Sequence, residues 1–256
     1  MILFLLKIMI GMLVGTLVGL TGVGGGVLLL PILIFGLGIP TTVTVGSDAA
    51  FQALTKIGAG FLHWRNGNVS WRLVSALSLG SIPGALGGVL VLARLRSVYG
   101  SEVNDILRIF IGVLLVCVPI LLLSEGLLEK CLARWKSRPT SNAGVFAIGL
   151  LSGFLVGMTS VGSGSIIMIL LLLFTAYSPA MLVGTDIVHA VALTGFTSFL
   201  HLRLGTVDPT LVFPLLIGSV PGSLIGARLS TVIPKLWLKR GLCCILLATG
   251  ARMLSI

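Results

Sequence analysis

Only seven of the 256 residues are acidic, and charged side chains of either sign make up 9% of the chain. Soluble domains carry about 25% charged residues, so this sequence cannot clothe a water-facing surface of its size. A nucleic-acid binder is excluded too. The formal net charge is +10, but most Lys and Arg sit in short loops between apolar runs and make no basic face on a soluble domain. Cysteine is sparse, and Cys117, Cys131, Cys243 and Cys244 have neither metal-ligand nor redox spacing. They read as reduced, structural thiols, and no metal or other cofactor is expected. No Ser/His/Asp order stands out, so catalysis is not expected.

What fills the chain is apolar: 56% of residues are hydrophobic and the mean hydropathy is +1.17. Runs at 44–62, 71–92, 106–123 and 183–202 are long enough for the roughly 30 Å hydrocarbon layer of a bilayer. The composition therefore predicts an all-α polytopic membrane protein. Residues 1–20 have the early Lys and apolar core of a leader peptide. The same stretch recurs internally at 146–158, which argues for a retained helix.

That recurrence is general. An offset of 138 residues carries Gly11, Gly15 and Gly19 onto Gly149, Gly153 and Gly157, and Gly46-Ser47-Asp48 onto Gly184-Thr185-Asp186. It also carries Phe61-Leu62-His63 onto Phe199-Leu200-His201, and Pro83-Gly84 onto Pro221-Gly222. The chain thus reads as two copies of one unit, 1–123 and 143–256, joined by a basic linker at 124–142. Each copy holds five apolar segments: 2–20, 27–39, 44–62, 70–92 and 106–123, then 143–158, 165–176, 181–202, 209–232 and 237–255. The second of each set is short for a crossing at 1.5 Å per residue, which predicts a hairpin folded back on the first. Lys130, Arg134, Lys136 and Arg138 place the linker in the cytoplasm by the positive-inside rule. Counting segments from there puts Lys235, Lys239 and Arg240 inside as well. It leaves Arg94 and Arg96 outside, against the rule, and predicts halves inserted upside down relative to each other.

Each hairpin would turn at a glycine cluster, Thr21-Gly22-Val23-Gly24-Gly25-Gly26 and Thr159-Ser160-Val161-Gly162-Ser163-Gly164. In one reading the cluster breaks the helix and offers bare N–H donors at the start of the next segment, where the macrodipole favours an anion. In the other it is a tight turn that allows close packing. Irregular backbone at membrane depth needs a protein or aqueous partner, and discontinuous helices of this kind build transporter sites. The predicted substrate-binding set is Thr21, Gly24, Gly25 and Gly26 from the first tip. The second tip supplies Thr159, Gly162, Ser163, Gly164 and Ser165, and the helix between contributes Gln52 and Lys56. A dinucleotide site is excluded, because the third glycine and the strand–helix–strand unit are missing.

Asp48, Gln52 and Lys56 share a helix face at four-residue spacing, and Asp186 and His189 lie on the matching helix of the second half. Intramembrane carboxylates are functional candidates, so Asp48, Asp186 and His189 are candidates for coupling or gating. The alternative is that Ser47-Asp48 and Thr185-Asp186 cap the helices that follow them. Lys56 either snorkels to the interface or meets an anion. His63-x-Arg65-x-Gly67 and His201-x-Arg203-x-Gly205 read as turns between spanning helices, with Arg65 and Arg203 free to reach lipid phosphates. A gating or proton-relay role for the two histidines is the alternative. The ladders Gly11/Gly15/Gly19 and Gly80/Gly84/Gly88, with their copies, predict close helix contacts.

The stretch 22–31, the His-x-Arg-x-Gly-Asn-Val turn and the Gly-Ser-x-Pro-Gly ladder resemble the sulfite exporter TauE/SafE family, over nearly the whole chain and in both halves. The resemblance implies a multi-pass permease of the bacterial inner membrane for a small sulfur-containing anion, sulfite or an organosulfonate, with the glycine stretches flanking its path. The second copy reads Gly162-Ser163-Gly164 and has Ile169 where Pro31 stands, so the two tips need not contribute equally. The sequence thus predicts a secondary transporter in contact with membrane lipids, with proton coupling as an option and oligomeric state open. A passive anion channel and a membrane-embedded enzyme or assembly subunit are the rivals.

Overall fold

The computed structural model describes residues 2–21, 25–136, 141–175, 177–229 and 235–255; side chains at 21, 125–136, 165, 179, 227, 235 and 236 lie outside that description. All regular structure among the described residues is helical. The helices are α1 (Ile2–Thr21), α2 (Gly26–Pro31, prolonged by a π-helical turn Ile32–Gly36), α3 (Thr41–Arg65), α4 (Trp71–Tyr99) and α5 (Val103–Lys136). After the linker come α6 (Asn142–Thr159), α7 (Ser165–Phe174), α8 (Pro179–Arg203), α9 (Pro209–Leu229) and α10 (Lys235–Leu254). Each of the ten sequence segments has become a helix. The second of each half is the short one, six residues for α2 and ten for α7.

Helix boundaries follow local chemistry. The Ser141 hydroxyl accepts from Gly144 N at 3.1 Å to start α6. Ser178 does the same for Met181 N at the start of α8, where Pro179 occupies a first-turn position that has no hydrogen-bonded N–H to lose. α5 runs through most of the predicted linker because 127–136 holds neither proline nor glycine and consists largely of good helix formers.

Among the described residues, five stretches are long and apolar enough to cross a membrane: Ile2–Leu20, Trp71–Ser124 (which contains α4 and most of α5), Asn142–Thr159, Ala180–Arg203 and Pro209–Gly226. Their outward faces are apolar, with Leu79 and Phe213 each 69% exposed. Such a belt is costly in water and neutral against lipid tails. Helices satisfy every interior backbone group within the segment, which is what the hydrocarbon layer demands. This is a multi-pass membrane protein.

The halves pack by exchange. In α1 against α9, a methyl group on Gly11 would overlap the Leu215 backbone and one on Gly15 the Ser219 backbone. At the same offset of 138, Gly149 and Gly153 of α6 press on Leu77 and Ser81 of α4. The first helix of each half thus lies parallel to the fourth helix of the other. The third helices pair with each other and run antiparallel: Gly60 of α3 meets Val188 and Val191 of α8, while Gly184 meets Asn68 and Gly46 meets Thr206. The fifth pair does likewise, Gly112 against Met253 and Gly250 against Val116. Gly15→Val or Gly153→Val should therefore abolish folded protein, because overpacking against backbone cannot be relieved by a rotamer change. Gly58 and Gly195, where an added methyl meets nothing within 4 Å, should accept alanine; membrane-fraction yield and monodispersity after extraction check the contrast.

Ser47 and Thr185 cap helices, though not their own. The Ser47 hydroxyl accepts from Asp208 N at 3.0 Å, at the start of α9, and the Thr185 hydroxyl accepts from Ser70 N at 2.9 Å, at the start of α4. Each half caps the fourth helix of the other. The capping alternative for Asp48 and Asp186 is overturned, since α3 and α8 begin at Thr41 and Pro179 and leave both carboxylates well inside the helix.

Candidate functional site

The second glycine tip turns sharply. Ser160 closes α6 in a left-handed conformation (φ 59°), an unfavourable place for a residue with a Cβ. Gly162 (φ 105°) and Gly164 (φ 132°) occupy conformations that only glycine adopts freely. Ser160 is held there by three bonds: its hydroxyl donates to Asp48 Oδ2 at 2.7 Å and accepts from Gln52 Nε2 at 3.2 Å, and its carbonyl accepts from Gln52 Nε2 at 3.0 Å. Ser163 is held in turn, donating its hydroxyl to Gln52 Oε1 at 2.7 Å.

Lys56 completes the circuit. Its ammonium donates to Ser163 O at 2.7 Å, Ser163 Oγ at 3.0 Å and Gln52 Oε1 at 3.0 Å, one acceptor for each of its three protons. Gln52 Nε2 also donates to Asp48 Oδ2 at 2.7 Å. The face Asp48–Gln52–Lys56 of α3, in the first half, is thereby bonded to the tip of the second half. From the first tip, Gly26 fits against the same cluster: a methyl group there would strike Gln52 Nε2 and Asp48 Oδ2. Asp48, Gln52, Ser160 and Ser163 are all buried. Lys56 is half-buried and does not snorkel, because its charge is spent on the tip.

Asp186 and His189 of α8 look into the same region. Lys56 is the charge that both Asp48 and Asp186 feel. Each carboxylate keeps a buried Oδ1 with no hydrogen-bond partner, and so does the His189 Nδ1. His189 Nε2 pairs with the buried Ser81 Oγ of α4 at 2.8 Å, so it sits behind the cluster, between α8 and α4.

Other predicted site residues fall elsewhere. The Thr159 hydroxyl donates to Leu155 O at 2.7 Å and accepts from Val161 N at 3.2 Å, so its proton is used inside its own helix end. Gly25 caps α2 through its carbonyl, which accepts from Leu28 N and Leu29 N. Gly24 and the side chains of Thr21 and Ser165 lie outside the described residues. The turn histidines differ from each other. His201 ties its turn to α6 through Gly157 O at 3.0 Å and braces the turn itself through Thr206 Oγ1 at 2.8 Å, whereas the buried His63 Nδ1 has no hydrogen-bond partner. The Arg203 guanidinium lies over the Phe199 ring of its own helix.

Two contributors were missed in the sequence, Ser160 and Ser81. The first carried a signal: at the 138-residue offset Ser160 stands against Gly22 and Ser163 against Gly25, so one tip bears hydroxyls where the other bears glycine. A crevice lined by Ile57, Gly60, Phe61, Trp64, Trp71, Val188 and Val191 opens on the flank of α3 and α8, with an almost wholly apolar lining. It offers an anion almost no donors.

A helical membrane protein whose two halves meet over a half-buried lysine, two buried carboxylates and a glycine-broken helix belongs to the class of membrane transporters. The model of the family described as Sulfite exporter TauE/SafE matches residues 7–253, and the chain belongs to that family. It is 37% identical over 251 residues to "Probable membrane transporter protein YjnA" of Bacillus subtilis (strain 168), covering 96% of this chain and 98% of that one. "Probable membrane transporter protein YdhB" of the same organism is 26% identical over 238 residues, with 92% and 94% covered. An archaeal relative, "Probable membrane transporter protein MJ0441" of Methanocaldococcus jannaschii, is 27% identical over 203 residues, with 76% and 72% covered. No solved structure matches.

Proposed function

We propose that this protein is a secondary transporter of the bacterial inner membrane that exports a small sulfur-containing anion, sulfite or an organosulfonate, by alternating access. The observation that carries the reading is the Lys56 ammonium, placed at the meeting of α3 with the tip of the opposite half and bonded only to neutral oxygens. An incoming oxyanion replaces Ser163 and Gln52 as the partner of that charge, because a charge-assisted bond to an anion is roughly twice as strong as one to a neutral acceptor. Binding therefore unfastens the tip, which links occupancy to movement.

The antiparallel α3–α8 and α5–α10 pairs support halves of inverted topology, with the linker on the cytoplasmic side. Rocking one half against the other then exposes the site to each face in turn. Asp48 and Asp186 supply coupling: each has a buried, unpartnered Oδ1 able to take up a proton as the anion engages Lys56. The substrate-facing set is Lys56, Gln52 and Ser163 with the glycines of both tips, and His189 and Ser81 hold α8 on α4 behind it.

Proteoliposomes test this directly. Sulfite should accumulate against its gradient when a pH difference is imposed, and Ser163→Leu should remove that flux without preventing insertion. Flux indifferent to the pH difference would assign the protein as a passive channel instead.

A further inference from the structure

A second cationic feature lies away from Lys56. Phe35, in the π-helical turn that ends the α2 segment, has the guanidinium carbon of Arg108 4.7 Å from its ring centre and that of Arg252 at 4.8 Å. Arg108 comes from the second turn of α5 and Arg252 from the last turn of α10, so three separate segments bring these groups together. The two charges cannot be farther apart than the sum of those distances. Among the described residues no carboxylate pairs with either. The Arg108 Nε is buried with no hydrogen-bond partner.

The arrangement is not a by-product of the repeat. At the 138-residue offset, the positions matching Phe35, Arg108 and Arg252 are Leu173, Leu246 and Leu114. Phe35 thus gathers two cations, where the three matching positions are all leucine. The ring attracts each guanidinium, but it carries no net charge to neutralise the two like charges held beside it. A single oxyanion offsets that repulsion and supplies acceptors matched to the planar guanidinium fork.

We propose that Arg108 and Arg252, braced on Phe35, form a peripheral oxyanion site separate from Lys56. On the orientation given above it lies at the non-cytoplasmic face. The ligand is a compact oxyanion, supplied either by the phosphodiester of an anionic lipid headgroup or by a free sulfur oxyanion near the transport path.

The test uses the full chain purified in detergent, in the wild type, Arg252→Gln, Arg108→Gln/Arg252→Gln and Lys56→Gln forms. One arm titrates sodium sulfate and sodium sulfite at constant ionic strength and reads thermal stabilisation. The other counts lipids retained in native mass spectra after exposure to phosphatidylglycerol or phosphatidylcholine vesicles. In at least one arm Arg252→Gln should weaken apparent affinity about tenfold, the equivalent of one charge-assisted hydrogen bond, while Lys56→Gln keeps that component. Loss confined to the phosphatidylglycerol arm assigns a lipid, and loss confined to the salt arm assigns a free anion. Arg252 is exposed, so the single variant decides the matter even if the double variant does not fold. Arginine variants matching wild type in both arms would overturn the site, and would leave the Lys56 reading untouched.

Discussion

Replacing Lys56 with methionine should lower sulfite flux in proteoliposomes by about 100-fold, for a reason that can be sized. Hydrogen bonds to charged groups contribute about 1.5–3 kcal/mol each, and an incoming anion takes over ammonium protons that Lys56 otherwise gives to Ser163 and Gln52. Loss of about 3 kcal/mol from the anion-bound state corresponds to roughly two decades. The same change takes the Lys56 charge away from Asp48 and Asp186 and leaves the Ser163 and Gln52 oxygens without their donor, and an unsatisfied buried acceptor costs about 1–3 kcal/mol. Lys56→Met should therefore also melt earlier than wild type. Adding Asp48→Asn to it should recover stability and leave flux low. That split separates the two roles of the lysine: wild-type flux in the single variant defeats the transport role, and failure of Asp48→Asn to stabilise defeats the electrostatic one.

The second large effect concerns adjacent glycines with opposite tolerance. Alanine at Gly26 puts its methyl group onto Gln52 Nε2 and Asp48 Oδ2, and within 3.0 Å of Ser160 O. Those atoms are bonded to one another and cannot retreat without opening the circuit. Overpacking of this kind costs about 1–3 kcal/mol, and each broken buried hydrogen bond adds to it. Gly26→Ala should be inactive and clearly destabilised. At Gly25 the nearest neighbour of an added methyl is a Phe51 ring edge at 3.2 Å, a side-chain contact that yields by a few tenths of an ångström. Gly25→Ala should keep most of its flux. Gln52→Ala, by clearing one obstacle, should restore part of the stability lost in Gly26→Ala. The reverse order of tolerance in thermal melts and flux would show that the first tip does not pack on α3 as described.

Much of this was legible beforehand, and for identifiable reasons. Apolar run lengths and proline or glycine breaks located the ten α-helices among the described residues, because spacing and breakers act locally. The Asp48–Gln52–Lys56 face followed from four-residue periodicity alone. What stayed hidden was the partner of that face. Nothing local tells Lys56 that it will meet Ser163, more than a hundred residues away, and Ser160 looked like a plain turn residue until its carbonyl and hydroxyl were seen on Gln52 and Asp48. The aspartates were open to reading as caps because the helix starts were placed a few residues late. A proline at position 40 and a serine at 178 begin α3 and α8 earlier than hydropathy suggests, since the threonines and small residues that follow are helical but not strongly apolar.

The crossed packing of the halves has a consequence for symmetry. Contacts in which the first helix of one unit grips the fourth of its mate, while third and fifth helices meet their own equivalents, are those of a two-fold symmetric pair. A single unit of that kind leaves its glycine faces bare until a second one covers them. Identical copies must carry identical side chains. In this chain the two units have parted: one carries the cation and amide at Lys56 and Gln52, with Thr194 and Ala190 at the matching places, while the other carries the hydroxyls at Ser160 and Ser163. Such a lopsided centre is open to a pair of units that differ in sequence and closed to a pair that are identical.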